Sequence, residues 1–262
     1  MGYHNLLANE PSLRHGDAGL QVAVLVTSGK DSALALHRVL EGNHEVKYLV
    51  TMMPQREDSW MFHYPNIHLA DLFAEATGIP LVKAETSGIK EEEVEDLKGV
   101  LAKLDVDSVV SGGISSQYQK SRIDKICREL GLKHIAPLWN EDPLRLLREI
   151  ISIDIDARIV GVYAHGFDKT WLGRKIDEGA VKDLEELNRK FTVSLVGEGG
   201  EYETLVLDAP FFAKRIELVE AEKVWEGQSG YLLVRKAVLV EKKERRKTAS
   251  LTDASSQRIL EP

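Results

Sequence analysis

Residues 24–40, VLVTSGKDSALALHRVL, join an apolar run to an Ala- and Leu-rich segment through a short polar turn. The run before the turn, QVAVLVT, has the length and composition of a buried strand, and the segment after it carries Leu36, Val39 and Leu40 on one helical face. In the turn, residues 27–32, small residues expose backbone N–H groups, and the following helix directs its positive end to the same place. The stretch therefore predicts a strand–turn–helix unit whose turn binds a phosphate-like anion.

Two common phosphate-binding motifs are absent from this turn. A Walker A loop needs Gly-x-x-x-x-Gly-Lys-Ser/Thr, but Val24 stands at its first position and Asp31 follows Lys30. A dinucleotide fingerprint needs three glycines, and the turn has only Gly29. Asp31 is out of place beside an anion unless it caps the helix or holds Mg²⁺, so a pyrophosphate with its magnesium would satisfy the whole turn. A capped turn without a ligand is the alternative, and it needs neither Lys30 nor so many donors.

The alternation of apolar run and helical segment continues along the first half of the chain. Five apolar runs (QVAVLVT, VKYLVTM, IPLVKAE, VDSVVSGG and LKHIAPLW) are separated by helical segments, with Gly78 and Gly131 where C-caps belong. Continuous apolar runs indicate strands buried on both faces, so we expect an α/β fold with a doubly wound five-stranded parallel sheet. Such sheets bind ligands beyond the carboxyl ends of their strands.

The pattern changes after residue 138. PLRLLREII and LGRKIDEGAVKDLEELNRKF are expected as helices, DARIVGVYA as a strand, and VSLVGEGGEYETLVLDAPFF as strand, glycine turn and strand, before a terminal hairpin. We therefore expect an N-terminal extension (1–20), a nucleotide-binding domain (21–138), a second, smaller α+β substrate domain (139–242) and a flexible tail (243–262).

Composition excludes several classes of protein. The 262 residues carry a formal charge of −8, which argues against a broad basic face for nucleic acid, although a basic cluster lies at 242–247. The single cysteine, Cys127, excludes a disulfide framework, a cysteine-rich zinc site and two-thiol sulfur chemistry within the chain. No apolar run approaches the roughly 20 residues that cross a bilayer. We expect a cytoplasmic protein.

The turn and four further stretches resemble known proteins. TSGKDS resembles the Ser-Gly-Gly-Lys-Asp-Ser motif of the PP-loop ATP pyrophosphatases, with Thr27 and Ser28 where that motif has Ser and Gly. MFHYPNIHLADLFAEATGIPLV, GGISSQYQKSRIDKICRELGLKHIAPLW, AHGFDKTWLGRKID and GEGGEYETLVLDAPFF are similar, in order and spacing, to the diphthine–ammonia ligase family. This resemblance covers about 22–240 and implies an adenine nucleotide alpha-hydrolase-like fold.

The resemblance also implies an activity. Members of that family amidate diphthine on translation elongation factor 2 with ammonium, through an acyl-adenylate, and release AMP and pyrophosphate; this is the last step of diphthamide biosynthesis. The expected cofactors are ATP and Mg²⁺, and the expected partners are ammonium and the diphthine form of the factor, with no membrane and no direct nucleic acid. A homodimer stays an open option.

The nucleotide site is expected at the ends of the first, second and fourth strands. The turn would hold the departing pyrophosphate, with Lys30 as its catalytic counter-charge and Asp31 as the metal ligand. Thr51 and Met52 would form the adenine ledge, and the loop SGGISSQY would contact ribose or α-phosphate. A glycine turn that caps the next helix at Ser115 accounts for that loop equally well. The nucleotide-binding set is Thr27, Ser28, Gly29, Lys30, Asp31, Ser32, Thr51, Met52, Gly112, Gly113, Ser116 and Tyr118.

The block GEGGEYETLVLD places Glu198, Glu201 and Glu203 within six residues. Clustered carboxylates repel one another and therefore attract a cation. Both the trimethylammonium of diphthine and ammonium are cations, and one carboxylate would deprotonate ammonium to the nucleophile. All three glutamates are catalytic candidates, with the base unassigned and an exposed acidic turn as the alternative. The expected substrate-binding residues are His63, Asn66, Trp171, Gly199, Gly200 and Tyr202.

Two other functions fit parts of the sequence. One is a PP-loop enzyme that adenylates a tRNA base, against which the missing second thiol and the acidic charge both weigh. The other is a non-enzymatic nucleotide-binding sensor, which needs the turn but has no use for the glutamate block.

Overall fold

A computed structural model describes residues 19–54, 66–87 and 91–242. Its first sheet has five parallel strands in the order β3-β2-β1-β4-β5, which confirms the expected α/β sheet. The strands are β1 Gln21–Leu25, β2 Glu45–Pro54, β3 Leu81–Thr86, β4 Ser108–Val110 and β5 Lys133–Ile135. The helices between them are α1 Lys30–Glu41, α2 Ala70–Thr77, α3 Glu92–Leu101 and α4 Gln117–Leu130.

Both faces of this sheet are buried. Val22 and Val24 of β1 pack in one apolar cluster with α1 and α2, whereas Ala23 between them packs in a second cluster with α3 and α4. This alternation explains why β1 is a continuous apolar run. Gly78 and Gly131 end α2 and α4 in the left-handed conformation, with φ of 72° and 71°, as their positions predicted.

The second half of the chain forms an antiparallel sheet of four strands in the order β7-β6-β9-β8, which confirms the expected α+β region. Its elements are α5 Pro143–Ser152, β6 Asp156–Val162, α6 Glu178–Phe191, β7 Tyr202–Asp208, β8 Lys214–Glu226 and β9 Ser229–Glu241. Its buried side chains belong to the same apolar cluster as α1 and α2. Arg38 of α1 binds Glu141, just before α5, and Glu149 within α5. The boundary at 138/139 stays a prediction. No helix in the described ranges is long and apolar enough to cross a membrane.

One expected strand is absent from the described residues. VSLVGEGG forms a series of turns, and β7 begins only at Tyr202. The chain folds here around the Glu201 carboxylate, which accepts backbone N–H bonds from Ser194 (3.1 Å) and Gly199 (2.9 Å). Apolar residues at 193, 195 and 196 indicated a strand, but a tertiary hydrogen-bond pattern overrides that local preference.

Candidate active site

The turn between β1 and α1 is closed by one hydroxyl. The Thr27 N–H donates to Ser32 Oγ (3.3 Å), and the same hydroxyl donates to the Gly29 carbonyl (3.1 Å). Gly29 caps α1 in an extended conformation, so the first-turn amides of the helix lie beside the turn. Ser28 adopts φ of 61°, the left-handed region that favours glycine.

Strand β7 of the second sheet completes the turn. Thr204 Oγ1 accepts from the Lys30 N–H at 3.0 Å, and the Val206 N–H donates to the Ser28 carbonyl at 2.8 Å. A Cβ on Gly29 would lie 3.3 Å from the Thr204 carbonyl oxygen, so glycine allows this close approach. Sequence reasoning missed Thr204, although it lies in the GEGGEYET block.

Lys30 is directed into the protein and is 2 % exposed. Its Nζ donates to Asp31 Oδ2 (2.8 Å) and to the Val196 carbonyl (2.5 Å), and it lies 5.1 Å from the centroid of the Tyr202 ring. Burial raises the pKa of Tyr202 well above its ordinary value, and its hydroxyl donates to the Leu195 carbonyl (2.7 Å). Tyr202 is therefore a neutral support for the ammonium.

Two adjacent cavities meet at the turn. The first, here the β7 cavity, is lined by Lys30 and by Tyr202, Glu203 and Thr204 among others. The second, here the strand-end cavity, lies beyond the carboxyl ends of β1 and β4 and beside β2. Thr27, Asp31 and Gly197 line both. The strand-end cavity also includes Ser32, Val50, Met52, Ser111, Gly112, Gly113, Lys120, Trp139 and Glu198.

Met52 of the expected adenine ledge and Gly112 and Gly113 of the glycine loop lie at the strand-end cavity. Met52 lines the strand-end cavity, but the buried Thr51 hydroxyl donates to the Val26 carbonyl (2.9 Å). A Cβ on Gly112 would lie 2.8 Å from the backbone of Asp31 and Ser32, so this position requires glycine.

Helix α4 follows the glycine loop. It is capped by Ser116, whose hydroxyl accepts from Gln119 N–H (3.4 Å), and not by Ser115. The Arg122 guanidinium carbon lies 3.5 Å from the centroid of the Tyr118 ring. Tyr118 is not among the described residues that line the two cavities.

The three glutamates have different surroundings. Glu198 Oε1 accepts from the N–H groups of Ile114 (3.2 Å), Ser115 and Ser116 (2.8 Å each), so it joins the GEGG loop to the loop after β4. Glu201 binds amides of its own loop with both oxygens. Glu203 lines the β7 cavity with Lys30.

The expected substrate-binding residues do not all lie at the two cavities. Asn66 lines the β7 cavity, and its amide binds the β9 backbone at Leu232 O (2.8 Å) and Val234 N (2.9 Å). Trp171 is buried against Phe167 and Arg174, outside the cavities as far as the described residues define them. His63 lies outside the described residues. Gly199 and Gly200 lie at the exposed tip of the glutamate loop.

Asp31 fits a magnesium ion that is held together with phosphates. Magnesium is commonly bound by one or two carboxylates plus substrate phosphates and water. Within the described ranges no group of three His, Cys, Asp or Glu side chains forms a metal site, whereas Asp31 faces both cavities from the turn between β1 and α1. The donor set suits a shared ion and not a cage made by protein alone.

The sequence TSGKDS at the carboxyl end of β1, with its buried lysine, and a glycine loop after β4 define a PP-loop α/β protein. Residues 20–134 match the family described as "Diphthamide synthase N-terminal domain", and residues 142–240 match "Diphthamide synthase C-terminal domain". The chain therefore belongs to the diphthine–ammonia ligase family, as its motifs predicted.

Named relatives agree with this assignment. "Diphthine--ammonia ligase" of Homo sapiens is 35% identical over 228 residues, which cover 78% of this chain and 85% of the relative. The protein of the same name from Schizosaccharomyces pombe is 35% identical over 84% of this chain, which spans only 40% of that longer relative. A solved structure of a "predicted subunit of tRNA methyltransferase" from Methanocaldococcus jannaschii is 16% identical to this chain. Its TM-score is 0.40 over 72% of this chain and 97% of that structure, which is too low to add to the fold described above.

Proposed function

We propose that this chain is an ATP-dependent, AMP-forming ligase that amidates diphthine on translation elongation factor 2 with ammonium. The observation that carries the proposal is the buried Lys30 ammonium, which lies where the phosphate-binding turn meets the strand that carries the glutamate block. Family membership supplies the reaction. A cytoplasmic enzyme follows from the proposed substrate, which belongs to translation.

The first step forms an acyl-adenylate. A carboxylate oxygen of diphthine attacks the α-phosphorus of ATP, the bond between that phosphorus and the bridging oxygen breaks, and pyrophosphate leaves with the electron pair. Lys30 and the first-turn amides of α1 stabilise the negative charge on the leaving group. Bound magnesium supplies further charge neutralisation on the phosphates, and Asp31 is its proposed ligand.

The second step forms the amide. Ammonium gives up a proton, ammonia attacks the acyl carbon, and AMP leaves as the carbon–oxygen bond of the mixed anhydride breaks. Among the glutamates we favour Glu203 as the proton acceptor, because it faces the β7 cavity. Glu198 and Glu201 have oxygens that accept backbone N–H groups and act first as supports for their loops.

An AMP-release assay tests the function. The protein is incubated with ATP, ammonium and elongation factor 2 that carries diphthine, with the factor that lacks diphthine and with tRNA in parallel reactions. We expect AMP and amidated factor only when diphthine and ammonium are both present. Release driven by tRNA would favour a tRNA-modifying enzyme, and tight ATP binding without AMP release would favour a nucleotide sensor.

A further inference from the structure

The strand-end cavity has a cation of its own. Lys120 lies in the first turn of α4 and is the one Lys or Arg among the described residues that line this cavity. Lys30 lines the β7 cavity and directs its Nζ to Val196. Each of the two adjacent cavities therefore has one lysine among its described lining residues.

The Lys120 ammonium is held in position by contacts with a residue of α4 and with a residue outside that helix. Nζ lies 2.9 Å from Asp124 Oδ2, one turn further along α4, and 5.3 Å from the centroid of the Trp139 ring. The other Asp124 oxygen lies 2.6 Å from His134 Nδ1, and His134 Nε2 lies 2.9 Å from Ser111 Oγ. Ser111 also lines the strand-end cavity. Burial favours a raised pKa for Asp124, but the hydrogen bonds from His134 and Lys120 bring it below its ordinary value, so this carboxylate is charged at neutral pH.

Cleavage of ATP explains why the site would need a second cation, here Lys120. Breaking the bond between the α- and β-phosphates separates two anions, the pyrophosphate and the adenylate that keeps the α-phosphate. Lys30 cannot serve both, because its Nζ is buried on the β7 side of the turn. Resting on the nucleotide use in the proposed function, we propose that Lys120 binds the α-phosphate, in the ATP complex and in the acyl-adenylate. An ammonium has three N–H donors, so contact with Asp124 is compatible with contact to a phosphate.

Paired binding measurements test this assignment without requiring turnover. Affinities for AMP, which has the α-phosphate, and for adenosine, which lacks it, are measured by calorimetry for the wild type, Lys120→Ala and Lys120→Arg. We expect Lys120→Ala to weaken AMP binding by about 10- to 100-fold, as for loss of a hydrogen bond to a charged group, and to change adenosine binding by less than about twofold. Lys120→Arg should restore most of the AMP affinity.

Lys125→Ala is the matched control. Lys125 lies on the same helix, its side chain is 62% exposed and its Nζ is 3.9 Å from Glu129, so its removal should leave both affinities unchanged. If Lys120 serves only as the helix partner of Asp124, Lys120→Ala will change AMP and adenosine affinities equally or not at all, and the assignment is overturned. Failure of the wild type to bind AMP overturns it as well.

The amidation assay separates this inference from the proposed function. If the wild type binds AMP through Lys120 but does not amidate diphthine, the proposed function fails and the phosphate assignment stands. If the wild type amidates diphthine, Lys120→Ala should lower kcat by about 10²- to 10³-fold, because its contact strengthens in the transition state. Normal kcat together with equal loss of AMP and adenosine affinity would overturn the phosphate assignment and leave the function standing.

Discussion

Replacing Ser28 by glycine should stabilise the protein. Ser28 is 1 % exposed and adopts φ of 61°, a conformation that a side chain with a Cβ adopts only at a cost. Its hydroxyl is buried and has no hydrogen-bond partner among the described residues. The turn between β1 and α1 therefore contains a strained backbone and an unsatisfied polar group at one residue, where the PP-loop motif has glycine.

The magnitude follows from four contributions. Glycine relieves about 1–2 kcal/mol of left-handed backbone strain, and removal of an unsatisfied buried hydroxyl gains about 1–3 kcal/mol. Against these stand about 0.5–1 kcal/mol for the extra backbone entropy of glycine in the unfolded chain and about 0.8 kcal/mol for the lost burial of one carbon. The Ser28→Gly variant should be about 1–3 kcal/mol more stable, which raises Tm by roughly 2–4 °C for each kcal/mol in a chain of this size.

Urea unfolding followed by circular dichroism measures the effect, with two further variants that separate its causes. Ser28→Ala removes the hydroxyl but keeps the Cβ, so it should gain about 1–3 kcal/mol. It should lie within about 1 kcal/mol of Ser28→Gly, because the strain that glycine relieves is nearly offset by its backbone entropy and lost burial. Ser108→Ala removes a second buried hydroxyl without a described partner, at an ordinary strand position, and measures the hydroxyl contribution alone. A Ser28→Gly protein that is less stable than the wild type would refute the reasoning, and a Ser28→Gly variant more than about 1 kcal/mol less stable than Ser28→Ala would refute the backbone contribution.

Four other substitutions or treatments have defined outcomes. Lys30→Ala should lower amidation by about 10²- to 10³-fold, and near-normal kcat would remove the turn from the mechanism. Glu201→Gln should lower the free energy of unfolding by about 1–3 kcal/mol, because the NH2 group of the new glutamine faces a backbone N–H that a carboxylate oxygen accepts in the wild type. The same variant should lower the ammonia-dependent rate more than ATP affinity. Unchanged unfolding and amidation would contradict both. Burial raises the pKa of Cys127 to about 12, so iodoacetamide should alkylate it at pH 8 only after unfolding, and rapid native labelling would contradict its burial. Arg38→Met should destabilise the protein by about 1–3 kcal/mol at neutral pH, and less below about pH 4. The hydrogen bond from Arg38 holds the pKa of Glu141 below its ordinary value, so the stabilisation is present above that value and is lost as pH falls through the lowered pKa; a pH-independent difference would contradict this pairing.

The first sheet could be predicted from the sequence because its strands are buried on both faces. Val22, Ala23 and Val24 each meet an apolar cluster, so burial leaves a continuous apolar run that local pattern reasoning can detect. The segment before β7 could not be predicted in this way. Its apolar residues resemble a strand, and the Glu201 carboxylate that bends it belongs to the block for which the sequence predicts either catalytic glutamates or an exposed acidic turn.

The candidate site was predictable where it depends on adjacent residues and not where it depends on distant ones. Thr27, Lys30 and Asp31 were expected at the turn and line its cavities. Thr204, which binds the Lys30 amide across 174 residues of sequence, gave no local signal. Three strands and three α-helices of the described chain separate Lys120 from the turn, and only the folded sheet places it at the same cavity.

The contact between the β1–α1 turn and β7 bears on how binding of the protein substrate is coupled to ATP cleavage. The strand that completes the β1–α1 turn through Thr204 also carries Glu203. The loop before this strand supplies the Val196 carbonyl to Lys30 and the Glu198 carboxylate to the loop after β4. A shift of this strand on binding a large protein substrate would therefore move the contacts of Lys30 and of the glycine loop together. Since a displacement of about 1 Å at a reacting group costs about 10²-fold in rate, this arrangement would let the protein substrate govern ATP cleavage, and so restrict the wasteful release of AMP when no diphthine is bound.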